Sequence, residues 1–151
     1  MYCSLIAVAP DAAQRWRANP ETFDPVGAAG ASLEKAWHGL HFLLTGSAWE
    51  GEGPLAFLLQ GGETIGDEEM GVRLFSPEAT RALDRALTEV SDDQLWERFD
   101  PERMTEEDVY PGIWDESEDD LREEYLEYFH VLKKFIHRAS TANQGFLVSI
   151  G

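Results

Sequence analysis

From about residue 117 to 142, apolar side chains fall at 121, 125, 128, 129, 132, 135, 136 and 139. That spacing is an amphipathic helical stripe, held for roughly five turns. A helix so long with one apolar face is stable only when that face is buried against a second layer. The next residues say what the layer is. Beyond Gly145, which is expected to stop the helix, Phe146, Val148 and Ile150 alternate with Leu147 and Ser149, the period-2 pattern of a strand. Residues 2–8 are apolar apart from Ser4 and rich in β-favouring types, and Val72-Arg73-Leu74-Phe75 has the same character. The expectation is an α+β fold: a small sheet from the N-terminal, 72–75 and C-terminal strands, packed against several helices including the long one at about 117–142. No repeat, linker or low-complexity tract divides residues 1–151, so a single domain is expected.

Shorter helices are marked by their start signals. Pro10-Asp11 opens one from Asp11 to Ala18. Ser76-Pro77-Glu78 places Ser at the N-cap and Pro at the first helical position of another, running to about Glu89. Ser91-x-x-Gln94 is a capping box for a helix through Phe99. Asp100-Pro101 restarts the chain, and Val109-Tyr110-Pro111-Gly112 makes a turn. Ser32 is a candidate cap for a helix from about Leu33 to Leu44, ending at Thr45-Gly46. Apolar residues nearly surround that helix, which predicts a central, mostly buried element. Gly27-Ala28-Ala29-Gly30 reads as a loop. The glycine-rich 45–69 reads as loop, one short helix and loop.

Charge sets limits on partners. Among 151 residues, 29 Asp and Glu face 12 Lys and Arg, a formal charge of -17. Phosphate backbones and anionic lipid surfaces are held by Lys and Arg, so nucleic-acid backbone and membrane partners are both disfavoured. Cys3 is the lone cysteine and cannot make an internal disulfide. The first basic residue is Arg15, too late for a secretory signal, and no uncharged apolar run approaches about 18 residues. These features point to the cytoplasm.

The charge is also localised. Residues 97–127 hold 14 acids and three arginines, whereas 128–151 hold no acid and three bases. Acids at 118, 119, 120, 123 and 124 suit the N-terminal end of the long helix, with bases toward its C-terminus. The macrodipole does not account for Glu102, Glu106, Glu107, Asp108, Asp115 and Glu116. They form either a solvated surface or an acidic face for a basic protein partner. A cation site is the weaker alternative, with no D-x-D-x-D-G loop present.

Candidate chemistry centres on Trp37-His38-Gly39-Leu40-His41. An imidazole among bulky apolar side chains has a pKa sensitive to its surroundings. His41 is therefore either a hydrogen-bonded core histidine or the catalytic base of a pocket lined by Trp37, His41, Arg73, Tyr110 and Trp114. Arg73 would bind an anion there, or simply pair with a carboxylate. Glu127-x-x-His130 has metal-ligand spacing, but a di-metal bundle needs a second such motif and two further Glu. No metal site and no cofactor are expected. The G-x-S-x-G elbow, the Walker A lysine and a G-x-G-x-x-G strand-to-helix turn are absent.

Trp37-x-x-Leu40-His41-Phe42-Leu43-Leu44-Thr45-Gly46 resembles the W-x-x-L-H-F-x-L-T-G signature of the YfbM-like family, bacterial proteins classed as domain of unknown function 1877. Ser76-Pro77-Glu78, Phe99 ahead of Met104, Val109-Tyr110-Pro111-Gly112 and the terminal Ile150-Gly151 follow in matching order. The opening Met1-Tyr2-Cys3-Ser4 lacks the family's Gly-rich start, and the 50–70 loop differs in length. The resemblance implies one α+β domain in a bacterial cytoplasm and carries no activity with it. The functional expectation is a non-enzymatic interaction protein with an acidic docking face. The alternative is a small-molecule or hydrolytic pocket around His41, Trp37 and Arg73. Nothing in the sequence sets an oligomeric state.

Overall fold

The computed structural model describes residues 1–22 and 30–151. The loop expected at Gly27–Ala29 lies outside the described residues. In chain order the elements are β1 (Cys3–Val8), α1 (Pro10–Ala18), β2 (Gly30–Glu34), α2 (Trp37–Thr45), β3 (Glu63–Thr64), β4 (Val72–Phe75), α3 (Pro77–Thr88), α4 (Asp92–Trp96), α5 (Pro101–Glu106), α6 (Glu118–Thr141) and β5 (Gly145–Ile150). The strands form one antiparallel sheet in the order β2-β1-β5-β4-β3. The expected α+β architecture is thus present, with the three expected strands at its centre.

The register of β1 on β5 pairs Cys3 with Ile150, Leu5 with Val148 and Ala7 with Phe146. Alternation sends these residues to the helix-covered face. There Phe75 and Phe146, neighbours across β4 and β5, stack at 4.8 Å, and Phe57 and Phe135 meet Phe146 edge-on. Leu121, Tyr125, Phe129, Leu132, Phe135, Ile136 and Ala139 of α6 are all buried, as the stripe predicts. The opposite face of the sheet, with Val8, Val72, Leu74 and Leu147, forms a smaller core under Trp16 and Ala13 of α1. The sheet is therefore covered on both sides.

Three expectations about boundaries change. Leu33 belongs to edge strand β2, and Ser32 donates to the Cys3 carbonyl instead of capping a helix. Glu34 then takes φ of 48°, turning the chain sharply so that α2 starts only at Trp37. The capping box at Ser91 and Gln94 is present, but its helix ends at Trp96 and not at Phe99. The long helix is stopped by Asn143, held at φ of 55°, rather than by Gly145. Gly145 instead lets β5 approach β4: a Cβ there would lie 2.3 Å from the Phe75 carbonyl oxygen.

Candidate functional site

Every residue from Trp37 to Leu44 of α2 is buried. A helix apolar on all sides packs on all sides, and Gly39 makes one of those contacts possible. A Cβ on Gly39 would stand 2.6 Å from the Tyr125 ring and 2.7 Å from Trp114. Gly46, at φ of 79°, closes the helix by donating to the Phe42 carbonyl. The remaining C-terminal carbonyls receive charge: Arg98 donates to Leu43 and Leu44, and Arg103 donates to Gly46 at 2.9 Å. Cations at this end also complement the helix dipole.

Two histidines one turn apart tether α2 to flanking loops. The backbone N–H of Tyr110 donates to His38 Nδ1 at 2.9 Å, so that nitrogen carries the lone pair. Nε2 therefore holds the proton and donates to the Ala48 carbonyl at 2.7 Å. The ring stacks on Trp37 at 5.2 Å on one side and meets Trp49 at 4.3 Å. His41 Nε2 donates to the Glu50 carbonyl at 2.9 Å, while its buried Nδ1 has no hydrogen-bond partner. A second proton would break the Tyr110 bond in His38, and in His41 would create an N–H with no acceptor. Burial accordingly lowers both pKa values from the ordinary histidine range, outweighing the carbonyl acceptors that favour the charged form.

The residues expected to line a catalytic pocket take the following places. His41 is fully buried, and none of five well-formed pockets of the molecule is lined by Trp37, His41, Arg73, Tyr110 or Trp114. Trp37 and Tyr110 do meet, stacked at 5.8 Å, and Trp37 donates to the Met1 carbonyl. Trp114 is buried beneath the 109–114 turn and donates to the Val109 carbonyl at 2.7 Å. Arg73 donates to the carbonyls of Leu58 and Gly61 and organises the 54–62 loop, and it pairs with no carboxylate among the described residues. His38 is the residue whose importance the spacing understated. Its only sequence signal was the His38-x-x-His41 repeat.

Elsewhere, His130 of the Glu127-x-x-His130 motif meets Asp92 at 2.9 Å, and His137 meets Asp84 at 3.3 Å. Among the described residues no three His, Cys, Asp or Glu side chains gather as a metal site. No helix there is long and apolar enough to cross a membrane.

The acidic stretch surrounds α5 and the turn into α6. Asp100 caps α5 by accepting from the Arg103 N–H, and Glu107, half-buried, pairs with Arg103 at 2.7 Å. Glu102, Glu106, Asp108, Asp115 and Glu116 are exposed and in no ion pair among the described residues. Glu118, at the start of α6, accepts from the Trp96 indole.

The profile of a family described as "Domain of unknown function (DUF1877)" matches residues 1–149. Among solved structures, that of a protein of unknown function, YfbM from Escherichia coli, matches with a TM-score of 0.82 at 21% identity, covering 100% of both chains. At that identity the likeness establishes a shared fold. None of the curated proteins compared with the chain matches it.

Proposed function

The chain belongs to the DUF1877 family, and on that premise we propose that it is a non-enzymatic binding protein of the bacterial cytoplasm whose acidic face docks a basic protein. One observation carries the reading. Arg98 and Arg103, two of the three arginines within 97–127, commit guanidinium hydrogen bonds to carbonyls at the end of α2 while staying exposed. The side chains of Glu102, Glu106, Asp108, Asp115 and Glu116 are exposed and in no ion pair among the described residues. The surface of the segment is therefore strongly negative, with exposed carboxylates beside arginines already engaged on backbone. Such a surface accelerates encounter with a basic partner and selects against acidic ones.

The rival reading needs an imidazole open to a substrate, and the enclosure of His41 favours the docking reading over it. The lone thiol fits a reducing compartment: Cys3 is fully buried, and burial pushes its pKa up to about 12. The test is affinity capture from bacterial lysate at low and high salt, comparing the native chain with the variant E102Q/E106Q/D108N/D115N/E116Q. A single basic protein should be retained by the native chain at low salt, released at high salt and lost by the variant. Equal retention by both chains would end the proposal.

A further inference from the structure

A second feature opens beside the acidic stretch. Residue Tyr2, the end of β2, the 111–113 turn and one face of α6 enclose a pocket of about 320 Å³. Its walls include Tyr2, Glu34, Pro111, Glu124, Tyr125 and Tyr128. From this arrangement we infer that the pocket seats an organic cation, the ammonium or guanidinium head of a lysine or arginine side chain on the basic partner. The inference rests on the docking reading for the owner of the cation, but not for the chemistry of the pocket.

Tyr125 carries the argument. It is 1% exposed, with its ring against Trp114 and close over Gly39, yet its hydroxyl makes no hydrogen bond among the described residues. A buried phenol ordinarily finds a partner. Here the pocket it lines is where one would be supplied. The hydroxyl of Tyr128, one turn along α6, is likewise unbonded, and the negative charges of Glu34 and Glu124 act on that ring. Among the described residues neither carboxylate has a cationic partner within ion-pair distance. Two free carboxylates, phenol oxygens able to accept and aromatic faces together make a lining for a cation that also donates hydrogen bonds.

The chain itself shows the mouth accepting such a group. The Lys35 ammonium rests 5.6 Å from the centre of the Tyr2 ring. One ammonium at the rim leaves the two carboxylates with net negative charge. The occupant's source follows from shape and position. Tyr2 is 51% exposed, and both glutamates stand at the surface, so the bowl leaves one side of its occupant open, the side from which a partner's side chain would enter. Pro111 also belongs to the acidic stretch, so a cation held on a docked protein is delivered to this opening.

The test is an NMR titration of the full chain with methylguanidinium, with its neutral isostere N-methylurea, and with the tripeptide acetyl-Gly-Arg-Gly-amide. Saturable shifts at Glu34, Ile113, Tyr125 and Tyr128 are expected with methylguanidinium and the tripeptide, and none with the urea. Tyr125→Phe should weaken binding about fivefold by removing one acceptor, and Glu124→Gln about tenfold by removing a charged one. Equal response to the urea, shifts that never saturate, or unchanged affinity in both variants would overturn the site. Loss of the guanidinium response while lysate capture persists removes the pocket and leaves the docking face. A guanidinium response with no captured protein removes the partner instead, and assigns the pocket to free cations.

Discussion

Gly39 has polar groups on either side of it that the fold treats in opposite ways. Toward the 46–50 and 110 loops, His38 uses both ring nitrogens in bonds to backbone, and His41 uses one. Toward α6, Tyr125 is equally buried as a residue, but it lines a pocket and its hydroxyl bonds to nothing among the described residues. The first arrangement commits three of four ring nitrogens to holding the chain together. The second leaves capacity over, and groups left over in a concavity are where an outside ligand finds its partners. Burial alone does not separate a structural polar residue from a binding one. Position does: the unpartnered Nδ1 of His41 is enclosed, whereas Tyr125 lines a pocket.

The comparison is most severely tested at His38. His38→Ala strips bonds from the Tyr110 N–H and the Ala48 carbonyl and opens a gap between Trp37 and Trp49, so unfolding free energy should fall by about 3–4 kcal/mol. Urea denaturation measures it, and a loss below about 1 kcal/mol would mean that the imidazole is not structural. Gly39→Ala comes next. The new methyl strikes Tyr125 and Trp114, a strain of about 1–3 kcal/mol set against a helix-propensity gain of up to about 1. A net destabilisation of roughly 1–2 kcal/mol is expected by the same measurement.

A third effect is pH dependence. The two histidines have folded pKa values below the unfolded value of about 6.5. Below that unfolded value the denatured chain binds protons that the native state refuses, so stability falls as pH drops through 6.5 toward the lowered folded values. Above about pH 7.5 both states are neutral at these sites and the dependence vanishes. Thermal melts between pH 8 and 5 should show this fall, reduced in His41→Leu; equal slopes in both chains would contradict the assignment. The smallest change is expected at Tyr125→Phe. Removing a hydroxyl that bonds to nothing should shift stability by no more than about 0.5 kcal/mol, with a gain as acceptable as a loss. A cost above about 1.5 kcal/mol would reveal a structural partner for that hydroxyl.

Much of the architecture was legible because its signals are periodic. The α6 stripe, the alternation of β5 and the caps at Ser76 and Ser91 all correspond to elements present in the structure. The β2–α2 boundary was not legible. Leu33 and the apolar residues after Trp37 form one nearly continuous run, and the break at Glu34 is a left-handed turn without the Gly or Asn that normally announces one. The acidic stretch was legible as charge, but the engagement of Arg98 and Arg103 depends on carbonyls some 54 to 57 positions away in the chain. For the same reason spacing grouped Arg73 with His41: which backbone a guanidinium reaches is decided by tertiary structure. The tyrosine pocket joins residues 2, 34, 111 and 124–128, whose only common property is convergence in space.

The position of β5 has a kinetic consequence. It is the middle strand, with β2-β1 on one side and β4-β3 on the other, and among the described residues no other strand joins these halves. Its partner β1 lies about 140 positions away, so the sheet becomes continuous only after a very long loop has closed. Topologies dominated by such distant pairings fold on the order of milliseconds to seconds, far slower than helical bundles of similar stability. Stopped-flow refolding should therefore show helical signal from α6 arriving ahead of the burial of Phe146. Until that last pairing, β1 and β4 each expose an edge, and that interval is when this protein is most open to aggregation.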